Sequence, residues 1–480
     1  MGRRVHSSVA VAVAATSVVS VIAAVPARPV QAATLTWGAC PTGVSTELQC
    51  ANLTLPLNYR DPAGGTVTIK ISRLASADPT KRRGVLLVNP GGPGNSGLGQ
   101  PITIKNRPAP RSLLEAYDII GFDPRGVGWS SPVRCGLQNI NSTVAPYALT
   151  TQDVVTQSGV ADAMADTCAG SAVSPLLPHI TTANTARDMD QIRAALGETR
   201  ISYYGVSYGS ALGAAYASMF PGRTDRILLD SIVGDTYMGR DAWRSFGQGV
   251  EDRFPDFARH AAANHATYSI GSTPEQVRAN FFTLARRLDV SPLGDVNGIV
   301  FRRRMFSALY RDSAFPGFAR LWQTLANGQV PAPTTPTTAD NYVSAQLAIT
   351  CGDSAWPRDV ATYQADVEED RIDFPLFGPA AANIYPCAHW SVPPVELPAQ
   401  VTATGPVNIM LLQNARDPAT PLNNALKLRR KFGARARLIT ADQGGHGVFH
   451  FTNNACANDH GLGFLVNGTL PDSDRLCPAE

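Results

Sequence analysis

Lysine is nearly missing from this chain. Lys70, Lys81, Lys105, Lys427 and Lys431 are the only ones, so arginine supplies almost all of the 41 basic residues. Charge is sparse overall, with charged residues at 16% and a formal net charge of +3. So small an excess gathers neither nucleic acid nor an anionic membrane. There is no C-x-x-C pair and no H-E-x-x-H run, which removes the commonest zinc signatures. The phosphate-loop pattern G-x-x-x-x-G-K-[ST] and the dinucleotide fingerprint are also missing, so neither a metal nor a cofactor is expected. Beyond the N-terminus no segment stays apolar for the ~20 residues a membrane helix needs. Internal repeats and long low-complexity tracts are absent as well.

What is present describes a globular, exported protein. Hydrophobic residues at 44% of 480 are enough to bury a large core. Residues 1–32 read as a secretory signal. Arg3 and Arg4 are its basic start, Val9 to Val25 its apolar stretch, and Val30 and Ala32 occupy the −3 and −1 positions of a cleavage site. The competing reading of that stretch is a permanent anchor. Cleavage near Ala32 would leave a soluble extracellular protein with no stable membrane association. Cys40, Cys50, Cys135, Cys168, Cys351, Cys387, Cys456 and Cys477 form an even set, which in an exported chain favours disulfides. Pairing sequence neighbours, 40–50, 135–168, 351–387 and 456–477, closes four local loops.

Apolar strand-like runs alternate with helical patterns in two stretches. "GVLLVNP" (84–90), "YDIIGFDPRGVGWS" (117–130), "ISYYGVS" (201–207) and "RILLDSIV" (226–233) read as buried strands. Helical patterns at 185–196, with Thr185 as N-cap, and at 208–220 fall between them. Strand, helix, strand in that order predicts an α/β fold, a mostly parallel sheet with helices on both faces. From Gly239 to Gln400 the rhythm breaks into a longer helical segment, and "VNIMLLQNARD" (407–417) and "ARLITADQGGHG" (436–447) restore it. The chain therefore divides into a signal (1–32), a first core part (33–238), an inserted helical cap (239–400) and a second core part (401–480). The acidic run "DVEEDRID" (366–373) reads as a solvated helix face.

Gly205-Val206-Ser207-Tyr208-Gly209 fits the G-x-S-x-G elbow, a tight strand-to-helix turn that exposes a serine. Chance produces that pattern roughly 0.3 times in a chain so rich in glycine and serine, so the elbow alone does not decide. A serine hydroxyl needs a base, and the base an orienting acid, which in this architecture follow the serine in the order acid then histidine, past strand ends. Asp417 and His446 meet those demands. His450 is the alternative base, and Asp417 also suits a turn or helix cap. Oxyanion donors are expected from the N–H of Tyr208 and from "VNPGGPGNSG" (88–97), with Gly92 chosen there, since Pro93 has no N–H.

Taken together, "NPGGPG", "GFDPRGVGWS", "GVSYGS", "DPATP", "GGHG" and "ITCGDSAWP" resemble the secreted tripeptidyl and prolyl aminopeptidases of the α/β-hydrolase class. The resemblance runs from about Trp37 to the C-terminus. It implies an α/β-hydrolase fold and a serine peptidase removing short peptides or single residues from peptides with free N-termini. Asn89 stands where the shorter prolyl iminopeptidases commonly have histidine, which points to the larger exported subgroup. A free N-terminus demands acceptors for its ammonium, and Asp353, Glu251 and Asp252 are the candidates. A secreted esterase or lipid hydrolase with the same triad, and a non-catalytic binding protein on a hydrolase scaffold, are the alternatives.

Overall fold

A computed structural model describes residues 2, 35–107, 111–138, 144–332, 339–392 and 394–480. Apart from Gly2, the segment read as a signal lies outside the described residues. Ten strands form one sheet: β1 (Gly38–Ala39), β2 (Gln49–Asn58), β3 (Asp61–Leu74), β4 (Gly84–Asn89), β5 (Tyr117–Phe122), β6 (Ile201–Val206), β7 (Thr224–Asp230), β8 (Ile409–Arg416), β9 (Ala436–Gly444) and β10 (Arg475–Cys477). Their spatial order is β1-β2-β3-β5-β4-β6-β7-β8-β9-β10. From β5 to β10 every neighbouring pair is parallel, and β1, β2 and β3 add antiparallel pairs at one edge.

The central strands are apolar on both sides because helices cover both faces. Leu87, Tyr203, Leu229 and Leu411 point into one core, and Leu86, Val88, Tyr204, Leu228 and Met410 into the other. That alternation is the period of two a pleated strand imposes. Helices Thr182–Ala195, Tyr208–Met219 and Leu422–Phe432 cover the first face, and Gln100–Asn106, Arg111–Ala116 and Ala455–Asn467 the second. Thr181, not Thr185, caps the Thr182–Ala195 helix by accepting the N–H of Asn184. Thr185 lies inside the first turn, and its hydroxyl donates back to Thr181 O.

Between β7 and β8 the described residues hold helices and no strand of the sheet. Phe257, Phe281, Phe301, Phe318 and Trp322 form an aromatic centre there. The 366–373 run departs from a solvated face: Asp366, Glu369 and Asp370 converge on Arg244, and Asp370 is buried. Helix Asp340–Asp353 is buried along nearly its whole length and straps this segment to the loop after β5 and to helix Thr182–Ala195. Its Asn341 donates to Gly126 O and Val133 O and accepts from Gly128 N. No helix among the described residues is long and apolar enough to cross a membrane.

Disulfides join Cys40–Cys50, Cys135–Cys168, Cys351–Cys387 and Cys456–Cys477, the neighbour pairing that the spacing suggested. All eight cysteines are thereby used. Thiol titration of the denatured, unreduced protein is expected to find no reactive thiol, and two or more per chain would contradict the pairing. Replacing Cys351 and Cys387 together by serine is expected to cost ~2–4 kcal/mol, read as a lower denaturation midpoint.

Candidate active site

β6 ends at Val206 and the next helix begins at Tyr208, so Ser207 alone turns the chain. Its φ of 59° and ψ of −123° lie where a side chain is held only under constraint. The constraint is crowding. A Cβ on Gly205 would collide with Gly209 O, and one on Gly209 would lie 2.8 Å from Asn89 O. Strand, turn and helix approach too closely for side chains there, which is why glycine flanks the serine. Tyr208, as first helical residue, has an N–H with no acceptor inside the helix.

The 88–97 loop leaves β4 and crosses directly over the elbow. A Cβ on Gly91 would collide with Val206 O and lie 3.0 Å from the Ser207 Cβ. Gly91 N–H is held by Asn89 Oδ1 at 2.9 Å, whereas the N–H of Gly92 has no acceptor among the described residues. Asp123 fixes the far end of this loop, accepting from Ser96 Oγ, Gly97 N and Leu98 N, and also from Trp129 N. Two residues on, Arg125 makes a buried two-pronged pair with Asp188 at 2.8 and 2.7 Å. The "DPRG" run is thus a structural clamp beneath the loop.

Asp417 follows β8 and is completely buried. Both its oxygens lie 2.9 Å from His446 Nδ1, and Oδ1 also accepts from Ala419 N and Thr420 N. One carboxylate thus holds both the turn after β8 and the imidazole of His446. With Nδ1 on the carboxylate, Nε2 of His446 is the nitrogen free to take a proton. His446 N–H donates to Tyr310 O, and the Tyr310 ring packs edge-on against the imidazole at 5.0 Å. His450 is elsewhere: its ring lies against Phe449, its backbone N–H is on Asn458, and no contact joins it to Asp417. No hydrogen bond joins Ser207 to His446 here, and in unliganded sites such bonds commonly tighten only with substrate.

Of the three carboxylates proposed for the ammonium, Glu251 and Asp252 are neighbours on helix Phe246–Ala263, and Asp353 lies at the end of helix Asp340–Asp353. Glu251 accepts from Leu376 N and pairs with Arg278, within the helical segment. Asp252 has no hydrogen-bond or ion-pair partner among the described residues. Asp353 is buried, with Oδ1 on Thr182 N at 2.8 Å and Oδ2 on Thr182 Oγ1 at 2.6 Å, and the same hydroxyl lies 2.6 Å from Tyr208 OH. Asp353 therefore supports the elbow from below. Burial pushes its carboxyl up to about 7. Nothing in the sequence pairs Thr182 with Asp353, 171 residues apart. Aromatic contacts lead from His446 and Tyr310 through Phe306, Phe246 and Trp243 to Tyr385.

Residues 374–477 match the family described as "TAP-like protein". The chain is 34% identical to the "Tripeptidyl aminopeptidase" of Streptomyces lividans, covering 95% of this chain and 88% of that protein. It is 29% identical to "Serine protease Hip1" of Mycobacterium tuberculosis, covering 89% and 87%. "Carboxylesterase B" of the same species is 28% identical, covering 94% and 91%.

Ser207→Ala is expected to abolish fluorophosphonate labelling and to lower hydrolysis ~10⁴- to 10⁶-fold with little change in melting temperature. A variant keeping a tenth of the activity would contradict a nucleophilic Ser207. Burial alone would lower the His446 pKa, but Asp417, aided by Asp230, outweighs it and raises the pKa above the ordinary 6.5. A base must be neutral to accept a proton, so activity falls as pH drops through that raised value. The acid limb of kcat/KM is expected above 6.5, and in Asp417→Asn the limb should move to lower pH.

Proposed function

This chain belongs to the tripeptidyl aminopeptidase family of α/β-hydrolases, and on that footing we propose that it is an exported serine exopeptidase. It releases short peptides, tripeptides first among them, from free N-termini through an acyl-enzyme. The observation that carries the reading is the Asp417–His446 pair, poised beyond β8 and β9 at the end of the sheet where the elbow exposes Ser207. Ser207 Oγ attacks the scissile carbonyl while His446 Nε2 takes its proton. Asp417 keeps Nδ1 protonated and stabilises the imidazolium. The N–H groups of Tyr208 and Gly92 receive the oxyanion, each such donor being worth on the order of 10²- to 10³-fold in rate. His446 then returns the proton to the leaving amine, and water, deprotonated by the same imidazole, hydrolyses the acyl-enzyme.

Four disulfides support an oxidising, extracellular destination. A second reading, an esterase, is favoured by the resemblance to carboxylesterase B, since one triad cleaves esters as well as amides.

Paired substrates separate the two. Acetylation removes the ammonium charge, and a hydrogen bond to a charged group contributes ~1.5–3 kcal/mol. A blocked tripeptide anilide is therefore expected to lose at least ~10- to 100-fold in kcat/KM against the free one. Equal cleavage of both, with faster turnover of p-nitrophenyl esters, would favour the esterase. Asp252→Asn is the first variant to read, because Asp252 is the candidate carboxylate with no hydrogen-bond or ion-pair partner among the described residues. If it anchors the ammonium, the substitution penalises free peptides and spares blocked ones. Asp353→Asn, acting through the elbow, is expected to slow both alike.

A further inference from the structure

Asp230, the last residue of β7, is completely buried and takes no part in the proton transfers above. Its main chain and its side chain serve different loops. The backbone carbonyl accepts the N–H of Ser207 at 2.9 Å. The carboxylate accepts the N–H of Val448 at 2.9 and 3.1 Å and that of Phe449 at 2.9 Å. Tyr204 OH donates to the same carboxylate at 3.2 Å, and so does Ser231 Oγ. The Ser231 hydroxyl in turn accepts the N–H of Gly447 at 2.8 Å. Three successive N–H groups, directly after His446, thus point at one buried anion and its neighbouring hydroxyl. Successive N–H groups turned the same way form a concavity that favours an anion, and the φ of 91° at Gly447 allows the turn.

We infer that Asp230 is a positioning residue that sets the base against the nucleophile, its main chain holding the serine turn and its side chain holding the histidine loop. The inference rests on Ser207 and His446 being the reacting pair. Other groups already fix the rest of that loop. Tyr310 O takes the His446 N–H, and Asn414 Nδ2 donates to Gly445 O and Gly447 O. None of these touches the serine turn. Among these groups, Asp230 touches both.

Charge adds a second effect. The imidazole of His446 faces Asp417 from the turn after β8, Asp230 from β7, the Tyr310 ring, and Arg311 beside it. Asp230 itself meets Tyr204 from β6, with Arg107 beyond that hydroxyl, and Ser231. Burial pushes the Asp230 carboxyl up to about 6, and its ionised form puts a negative charge near the imidazole. A negative neighbour favours the imidazolium. Neutralising it should therefore lower the His446 pKa.

The test is Asp230→Asn beside Ser231→Ala, read by the rate of fluorophosphonate labelling, by kcat and KM separately, and by the acid limb. Labelling needs the serine and its base but no peptide, so it reports on the inference even if the exopeptidase reading fails. Ser207→Ala, run alongside, reports separately on the nucleophile. Misplacement by about 1 Å can cost on the order of 10²-fold. Asp230→Asn is expected to slow labelling and kcat ~10- to 100-fold with KM nearly unchanged, and to move the acid limb to lower pH. Ser231→Ala is expected to slow labelling less and to leave the limb in place. A folded Asp230→Asn with the wild-type labelling rate would overturn the inference, as would one slowed with its limb unmoved. If Asp230→Asn fails to fold, Ser231→Ala decides, and a wild-type labelling rate in that variant would overturn the inference.

Discussion

Close approach of three backbone segments at the elbow is the constraint on which the rest of the site depends. Gly205 in β6, Gly209 in the following helix and Gly91 in the crossing loop each lie where a Cβ would press on another segment's backbone. Only because those side chains are missing can the loop carrying Gly92 pass beside Ser207. The same crowding holds Ser207 at positive φ, an arrangement that costs on the order of 1–3 kcal/mol and persists only when its surroundings over-determine it. Those surroundings are identifiable: Asp230 O on the Ser207 N–H, Asn89 Oδ1 on the Gly91 N–H, and Asp123 on the far end of the loop.

The segment between β7 and β8 belongs to this machinery. Tyr310 reaches from it to hold the His446 backbone and to shield the imidazole. Helix Asp340–Asp353 is anchored at both ends, through Asn341 against the 126–133 loop and through Asp353 against Thr182 at the start of helix Thr182–Ala195. Its C-terminal contact continues by way of Thr182 to Tyr208, whose N–H is the proposed oxyanion donor. A shift of the strap helix would thus be felt at the elbow through hydrogen bonds alone.

Among the described residues, buried charge comes with partners. Arg125 and Asp188 are both inaccessible, and three backbone carbonyls satisfy the guanidinium further. Removing one member of such a pair leaves the other buried and uncompensated, typically at a cost of ~3–5 kcal/mol. Asp123, Asp230 and Asp417 follow a second pattern, in which backbone N–H groups receive the carboxylate. Such carboxylates order loops that have no regular structure of their own. In this chain those are the loops that carry the candidate oxyanion donor, acid and base.

What the amino-acid sequence determined by itself was whatever depends on neighbours along the chain. Continuous apolar runs marked β4 to β9, glycines flanked a serine, and an aspartate and a glycine-ringed histidine followed strand ends. The cysteine spacing gave the four local bridges, since each closes a short loop. The antiparallel strands β2 and β3 were not legible, because β2 buries little of its second half, β3 leaves its first six residues exposed, and neither carries a continuous apolar run. Thr185 looked like a cap because hydroxyl residues at 181, 182 and 185 offer equivalent local chemistry, and only packing against the sheet selected Thr181. The 366–373 carboxylates looked solvated because Arg244 lies more than a hundred residues away. Asp353 suggested a ligand for substrate, yet only the fold could show both its oxygens taken by Thr182. Asp230 was invisible for the same reason: its partners, Ser207, Val448 and Phe449, come from segments that meet only when β6, β7 and the loop after β9 are laid side by side. Local periodicity and turn chemistry are written in short windows, whereas the pairing of a buried carboxylate is decided by the hydrogen-bond donors that the folded chain brings to it.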